Sequence, residues 1–302
     1  MKKKPTGERR VARRRAFHAL ALSTIFAAGG VAEARAQNQP AHTLTGNIRT
    51  HSKFQSKHLA AARDVIVYLP PGYDSERRRR YPVFYMHDGQ NLFDGATSFI
   101  PGQEWRVDET AERLIRARQI EPVIVVGIYN AGSQRVDEYT PVRDERHKAG
   151  GRADAYGRMI VEELKPFIDA QYRTLRGASD TALGGSSLGG LVSLHLGLRH
   201  PNVFGKLAVV SPSVWWAERA ILSEVAALRK KPALRVWVDT GTDESEEAAP
   251  DARRLRDALV AEGWREGLDL KYFEAEGAKH NEAAWAERVE PILRFLFPPK
   301  KQ

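Results

Sequence analysis

The 302-residue chain contains no cysteine, which excludes disulfides, Cys-based metal sites and thiol catalysis, and fits an oxidising compartment. It also lacks a second apolar run long enough to follow its N-terminal one into a bilayer. The first run, Ala19–Ala28, is itself too short to cross a membrane, which takes about 18 residues or more. No stable membrane insertion is therefore expected. A strong charge bias is missing too, once the N-terminus is set apart. The whole chain carries +9, but residues 1–36 hold nine Lys/Arg against two Glu, which leaves only +2 for residues 37–302. A nearly neutral folded part removes the electrostatic case for nucleic-acid binding. Repeats, low-complexity tracts and internal linkers are absent as well, so residues 37–302 are expected to form a single domain. At 42% hydrophobic and 28% charged over all 302 residues, the composition is that of a soluble globular protein.

The first 36 residues read as an export signal. A basic stretch precedes the apolar run, and Ala34-Arg35-Ala36 offers a small-x-small cleavage site before Gln37. Arg14-Arg15-Ala16-Phe17 also resembles the twin-arginine signal, although that pattern prefers Ser or Thr where Arg13 stands. The expected location is therefore periplasmic or secreted. Arg77-Arg78-Arg79-Arg80 lies between a turn and a strand, where a solvated charge run is the ordinary reading.

Beyond Gln37, strand and helix signals alternate. The polar, alternating stretch from Thr43 to about Ser56 suits an antiparallel edge strand. Apolar runs at 62–69, 82–86, 122–128, 181–184, 206–210, 234–240 and 268–273 suit strands buried on both faces of a mostly parallel sheet. Helical periodicity marks 107–117, 153–172, 188–199, 250–262 and 282–297. This alternation predicts a doubly wound α/β sheet with helices on both faces.

Within that frame Gly185-Ser186-Ser187-Leu188-Gly189 stands where a strand would turn into a helix. A nucleophilic serine on such a turn holds a strained backbone, and small residues two before and two after make room for it. Chance alone supplies G-x-S-x-G in about one chain of this length in ten, so context must carry the assignment. Ser186 has Gly184 and Leu188 two away, and only Ser187 has both glycines. On an α/β-hydrolase sheet the base follows the last strand and the acid follows the strand before it. Of the eight histidines after Gln37 only His280 lies in such a loop, whereas His195 and His200 fall in or at the end of the helix after Ser187. For the acid, Asp243 and Glu244 both occupy the right loop. The oxyanion of a tetrahedral intermediate needs N–H donors, for which the Leu188 and Gln90 amides are the candidates. Gly89 would let the chain turn toward the pocket. His87-Asp88 lacks further carboxylates or histidines at ligand spacing, so no metal and no cofactor are expected.

Several segments resemble the putative-esterase family of α/β hydrolases, whose members include siderophore (enterochelin), feruloyl and acetyl-xylan esterases, S-formylglutathione hydrolase and the mycolyltransferases. These segments are Tyr81–Asp94, Trp105–Glu109, Asn130 with Arg135 to Pro141, Gly185–Gly190, Ser211–Trp216, Gly241–Glu244 and Gly277–Trp285. The resemblance runs from about Arg63 to Phe297. The family's acid follows Gly-Thr-x, which selects Glu244. The resemblance thus implies a serine carboxylic-ester hydrolase with Ser187, His280 and Glu244, acting through an acyl-enzyme on a small-molecule or glycan-linked ester. Of its branches the siderophore hydrolases are the nearest. Two rivals remain: an acyltransferase of mycolyltransferase type using the same triad, and a non-catalytic glycan- or siderophore-binding module. Arg135 and Glu138 are expected to pair with one another beneath the site.

Overall fold

Branching at Cβ favours extended backbone and good packing on a pleated surface, and the Val/Ile-rich runs form the strands of one sheet. The structure is a computed structural model that describes residues 41–300; the export-signal pattern of residues 1–36 lies outside them. The described residues begin with β1 (Asn47–Phe54), β2 (Arg63–Leu69), β3 (Val83–His87), α1 (Val107–Arg116) and β4 (Ile124–Ile128). A one-turn helix α2 (Arg135–Glu138) and a small hairpin, β5 (Arg143–Asp144) with β6 (Ala149–Gly150), follow. Next, α3 (Ala153–Arg158) continues through a π-helical turn (Met159–Leu164) into α4 (Lys165–Gln171). The second half is regular alternation: β7 (Thr181–Ser186), α5 (Leu188–Arg199), β8 (Lys206–Val210), α6 (Trp216–Ala226), β9 (Arg235–Gly241), α7 (Ala248–Ala261), β10 (Leu270–Ala275) and α8 (Glu282–Leu296).

The main sheet has the order β1-β2-β4-β3-β7-β8-β9-β10. β1 pairs antiparallel with β2, and β2 antiparallel with β4, while the rest of the sheet is parallel. Strands β3, β4 and β7 are buried along their whole length, which is why their sequences show no polar alternation. The side-chain period of two splits each between the two faces. Val83 and Tyr85 face one core layer, Phe84 and Met86 the other. The first layer takes its helical cover from α3 to α7, with Tyr156, Leu191, Ile221 and Leu255. The second takes it from α1 and α8, with Leu114, Val289 and Leu293. Helices therefore lie on both faces, as the alternation predicted.

The departures are local. The segment expected as one helix over 153–172 is interrupted by its π turn just ahead of Pro166, which has no N–H and crowds the preceding turn. The last strand starts at Leu270 rather than Leu268 because Leu268 is spent in a turn and half exposed. Helix α6 escaped the periodicity reading. Its opening residues Ala217, Glu218 and Arg219 are left-handed, with φ of 45°, 55° and 66°, a conformation that a helical pattern does not encode.

Candidate active site

Parallel strands deliver their loops to one edge of the sheet, beyond the strand C-termini, and this is where α/β folds bind ligands. Four such loops, from β3, β4, β7 and β10, line a cavity of about 330 Å³ that includes Asp88, Gln90, Asn130, Arg135, Ser187 and His280; the β9 loop adds Glu244 behind His280.

Ser187 is the single residue between β7 and α5, at φ 60° and ψ −123°. A non-glycine residue is held there only when its surroundings dictate it. Its N–H donates to Val210 O (3.0 Å) and its C=O accepts from Ser213 N–H (3.1 Å). The glycines around it differ in strictness. A Cβ on Gly185 would stand 3.0 Å from His87 Cβ, and one on Gly190 2.8 Å from Val210 O, while one on Gly189 would meet nothing closer than 3.4 Å. The tight position after the serine is thus three residues on rather than two. Ser186 is buried in the strand. Ser187 Oγ lies 3.2 Å from Ser213 Oγ.

His280 sits in the loop between β10 and α8, with its side chain 40% exposed, and its Nδ1 is 2.8 Å from Glu244 Oε2. Edge-on packing against Trp285, with ring centroids 5.0 Å apart, fixes the imidazole plane. The Glu244 side chain is buried and richly supplied with donors: Ser211 Oγ and Gly241 N–H both donate to Oε1. Burial works to raise its pKa, but the hydrogen bonds from His280, Ser211 and Gly241 prevail and hold it below the usual value. Ser211 Oγ in turn accepts from Trp285 Nε1 and from Arg288, both at 3.1 Å. Arg288 also pairs with Asp239 at 2.8 Å. Asp239 therefore remains inside β9, in a supporting pair. Asp243 is exposed and its side chain is turned to solvent. Of the two candidate acids, the structure brings Glu244 to His280.

The β3 loop turns differently from expectation. Asp88, not Gly89, takes the left-handed conformation (φ 55°, ψ 48°). Gly89 serves close approach instead: a Cβ there would lie 2.5 Å from Gly127 C in β4. Gln90 follows in the first turn of a 3-10 helix (Gly89–Asn91), and Leu188 is the first residue of α5. Amides at such positions have no acceptor within their own helix. Gln90 is pinned at both ends, its carbonyl by Thr97 Oγ1 (2.7 Å) and its side chain by Asn130 N–H (3.3 Å).

One expected pairing is overturned. Arg135 does not meet Glu138; it forks onto Asp88 at 2.8 and 2.7 Å, while Glu138 forks onto Arg63 at 2.8 and 3.1 Å. From the one-turn α2, Arg135 reaches the cavity while Glu138 is buried against Arg63. Asn130 adds a 2.7 Å bond to Asp88. Burial would raise the Asp88 pKa, but the Arg135 charge wins and lowers it. His87 lies behind Gly185, bonded to Tyr156 (2.9 Å), and burial drives its pKa down to about 3. It is a neutral packing residue, and neither it nor Asp88 is arranged as a metal pair. A separate group of carboxylates that the sequence reading did not pick out, Glu104, Asp108 and Glu109, gathers at the start of α1. Thr43 Oγ1 donates to Glu104 and Thr45 N–H to Asp108, and burial, with Glu109 beside it, lifts Asp108 to about 9. His195 is far from a base's role, held between Glu224 (2.8 Å) and Asp154 (3.0 Å). Arg77 to Arg80 are exposed, as a solvated run should be.

Sequence reading missed Phe99, Ile100 and Glu282, which also line the cavity. Glu282 and Trp285 lay within a recognised segment, but nothing local distinguished a cavity side chain from a helix surface. Phe99 had no signal at all.

A sequence profile of the Putative esterase family matches residues 56–296. The chain belongs to that family. It is a carboxylic-ester hydrolase with the α/β-hydrolase fold. The esterase is 28% identical over 254 residues to the uncharacterized protein YbbA of Bacillus subtilis, covering 80% of this chain and 95% of that one. It is 26% identical to the ferri-bacillibactin esterase BesA of the same organism, covering 72% and 80%. The crystal structure of the BES protein from Bacillus cereus superposes with a TM-score of 0.66 at 25% identity, covering 84% of the esterase and 96% of that chain.

Proposed function

We propose that the esterase works through an acyl-enzyme on Ser187, with His280 as base and Glu244 as its orienting acid, and that its substrate is a siderophore-type or other small ester or lactone. The observation that carries this is the 2.8 Å bond from Glu244 to His280, which shares a cavity with Ser187 on its strained turn. Ser187 Oγ attacks the carbonyl carbon as its proton passes to His280 Nε2, while Glu244 stabilises the imidazolium through Nδ1. The carbonyl electrons move to oxygen, which accepts from the Gln90 and Leu188 amides. Collapse expels the alcohol with the proton from His280. Water then repeats the sequence on the acyl-serine and releases the carboxylate.

The siderophore reading is supported by the name of BesA. Residues 1–36 are proposed as an export signal and 37–302 as one domain; among the described residues no helix is long and apolar enough to cross a membrane. N-terminal sequencing of periplasmic and culture fractions tests the signal, with Gln37 expected first. For the reaction, nitrophenyl acetate and butyrate turnover is compared for the wild type and Ser187→Ala. Loss of turnover, with an acyl adduct on Ser187 by mass spectrometry, is expected; equal rates refute the mechanism. A panel of a siderophore trilactone, feruloyl esters and acetylated xylan then ranks the substrates.

A further inference from the structure

Two carboxylates, Asp88 and Glu282, line the cavity beside Ser187. Asp88 is matched by both arms of Arg135. Glu282 is not matched in this way: its side-chain partner is the neutral amide of Asn91, whose Nδ2 donates to Oε1 at 3.1 Å. A first-turn carboxylate on a helix ordinarily stays in water, where it complements the helix dipole at little cost. Glu282, at the start of α8, is only 5% exposed and is turned into the cavity beside Ser187, His280 and Trp285. Burial raises its pKa, aided by the Asp88 charge and opposed by its own N–H and by the His280 and Arg135 charges, so its placement costs stability that a surface orientation would avoid. The same Asn91 holds the rim, its Oδ1 accepting from Phe99 N–H at 2.9 Å. Phe99, 81% exposed, and Ile100 thus line the same cavity as this carboxylate and give it an apolar part.

We propose that Glu282 is a specificity residue: its carboxylate accepts a hydrogen bond from a donor group on the ester, an ammonium or a hydroxyl, and turns away esters that carry a carboxylate there. The inference rests on the cavity being the ester-hydrolysis site. A carboxylate held by a neutral amide rather than by a cation, in a partly dehydrated pocket, discriminates by charge, because a like charge meets repulsion where a donor meets an acceptor.

The test separates binding from turnover. NMR titration of the Ser187→Ala protein with hexylammonium, hexanol and hexanoate reads the cavity without chemistry. Hexylammonium is expected to bind at least about tenfold tighter than hexanoate. Glu282→Gln in the same background keeps an acceptor for Asn91 and should reduce that ratio to near one. In the active protein, the kcat/KM ratio of nitrophenyl 6-aminohexanoate to the nitrophenyl adipate monoester should fall in parallel on Glu282→Gln. A ratio unmoved by Glu282→Gln, in a protein whose unfolding midpoint matches the parent, overturns the proposal. Should no ester turn over while the binding ratio still responds, the hydrolytic reading fails and the Glu282 inference stands as a ligand preference.

Discussion

Replacing Glu244 by Gln should disable the esterase through the orientation of one amide. Ser211 Oγ already accepts two hydrogen bonds, from Trp285 and Arg288, so its single proton must go to Glu244 Oε1. Gly241 N–H donates to the same oxygen at 2.8 Å. A Gln side chain must therefore place its carbonyl oxygen there. The opposite orientation leaves two donors facing an NH₂, at about 1–3 kcal/mol each, so the favoured orientation wins by about thirtyfold or more. The NH₂ then occupies the Oε2 position, 2.8 Å from His280 Nδ1, and donates to it. His280 is forced into the tautomer with its proton on Nε2, and cannot take the proton of Ser187. Wrong-tautomer substitutions of this kind cost about 10⁴ in kcat in the serine-protease triad, and about 10³–10⁴ is expected here. The assay is nitrophenyl acetate turnover at neutral pH, with the thermal midpoint measured alongside. Asp243→Asn, at the exposed neighbouring position, is the control and should stay within about twofold, as surface changes do. A Glu244→Gln protein with normal stability and activity within about tenfold of wild type refutes the reasoning.

Three further outcomes concern stability. His87 is held neutral with a pKa of about 3, so on acidification the unfolded chain takes up its proton first, near pH 6.5. Its contribution is complete above that pH and is lost as pH falls toward 3, about 2 kcal/mol being gone by pH 5; urea titrations at pH 7.5 and 5 should show a smaller gap for His87→Phe. Asp108 shifts the other way, to about 9, so folding holds a proton that the unfolded chain releases above about pH 4. That burden grows with pH, and Asp108→Asn should gain more stability at pH 8 than at pH 5 by thermal denaturation. Gly89→Ala would press a Cβ to 2.5 Å from the β4 backbone; a loss of about 1–3 kcal/mol is expected, with reduced turnover because Gln90 is displaced, and an unchanged midpoint would contradict the close approach.

Much of this was legible in one dimension because it rests on local periodicity and steric rules. Strands β3, β4 and β7 are buried on both faces, so their sequences show no polar alternation, and the close approaches at Gly185 and Gly190 leave small residues around Ser187 as a local mark. Chain order then assigned His280. Other features depend on which loops meet. Glu244 was favoured over Asp243 by family resemblance, but its contact with His280 is set by the Ser211–Arg288–Asp239 frame, three residues far apart in the chain. Arg135 and Glu138 are three apart and looked paired, yet a single helical turn sends them to separate partners, Asp88 and Arg63. Glu282 and Phe99 are a helix-start carboxylate and a loop aromatic by sequence alone. Only the convergence of the β3 and β10 loops makes them walls of one cavity. The sequence by itself determined the sheet, its helical layers and the strained serine, because these follow from periodicity and backbone sterics. The tertiary structure decided the partners of the charged side chains, because an ion pair depends on the distance between loops and not on their separation along the chain.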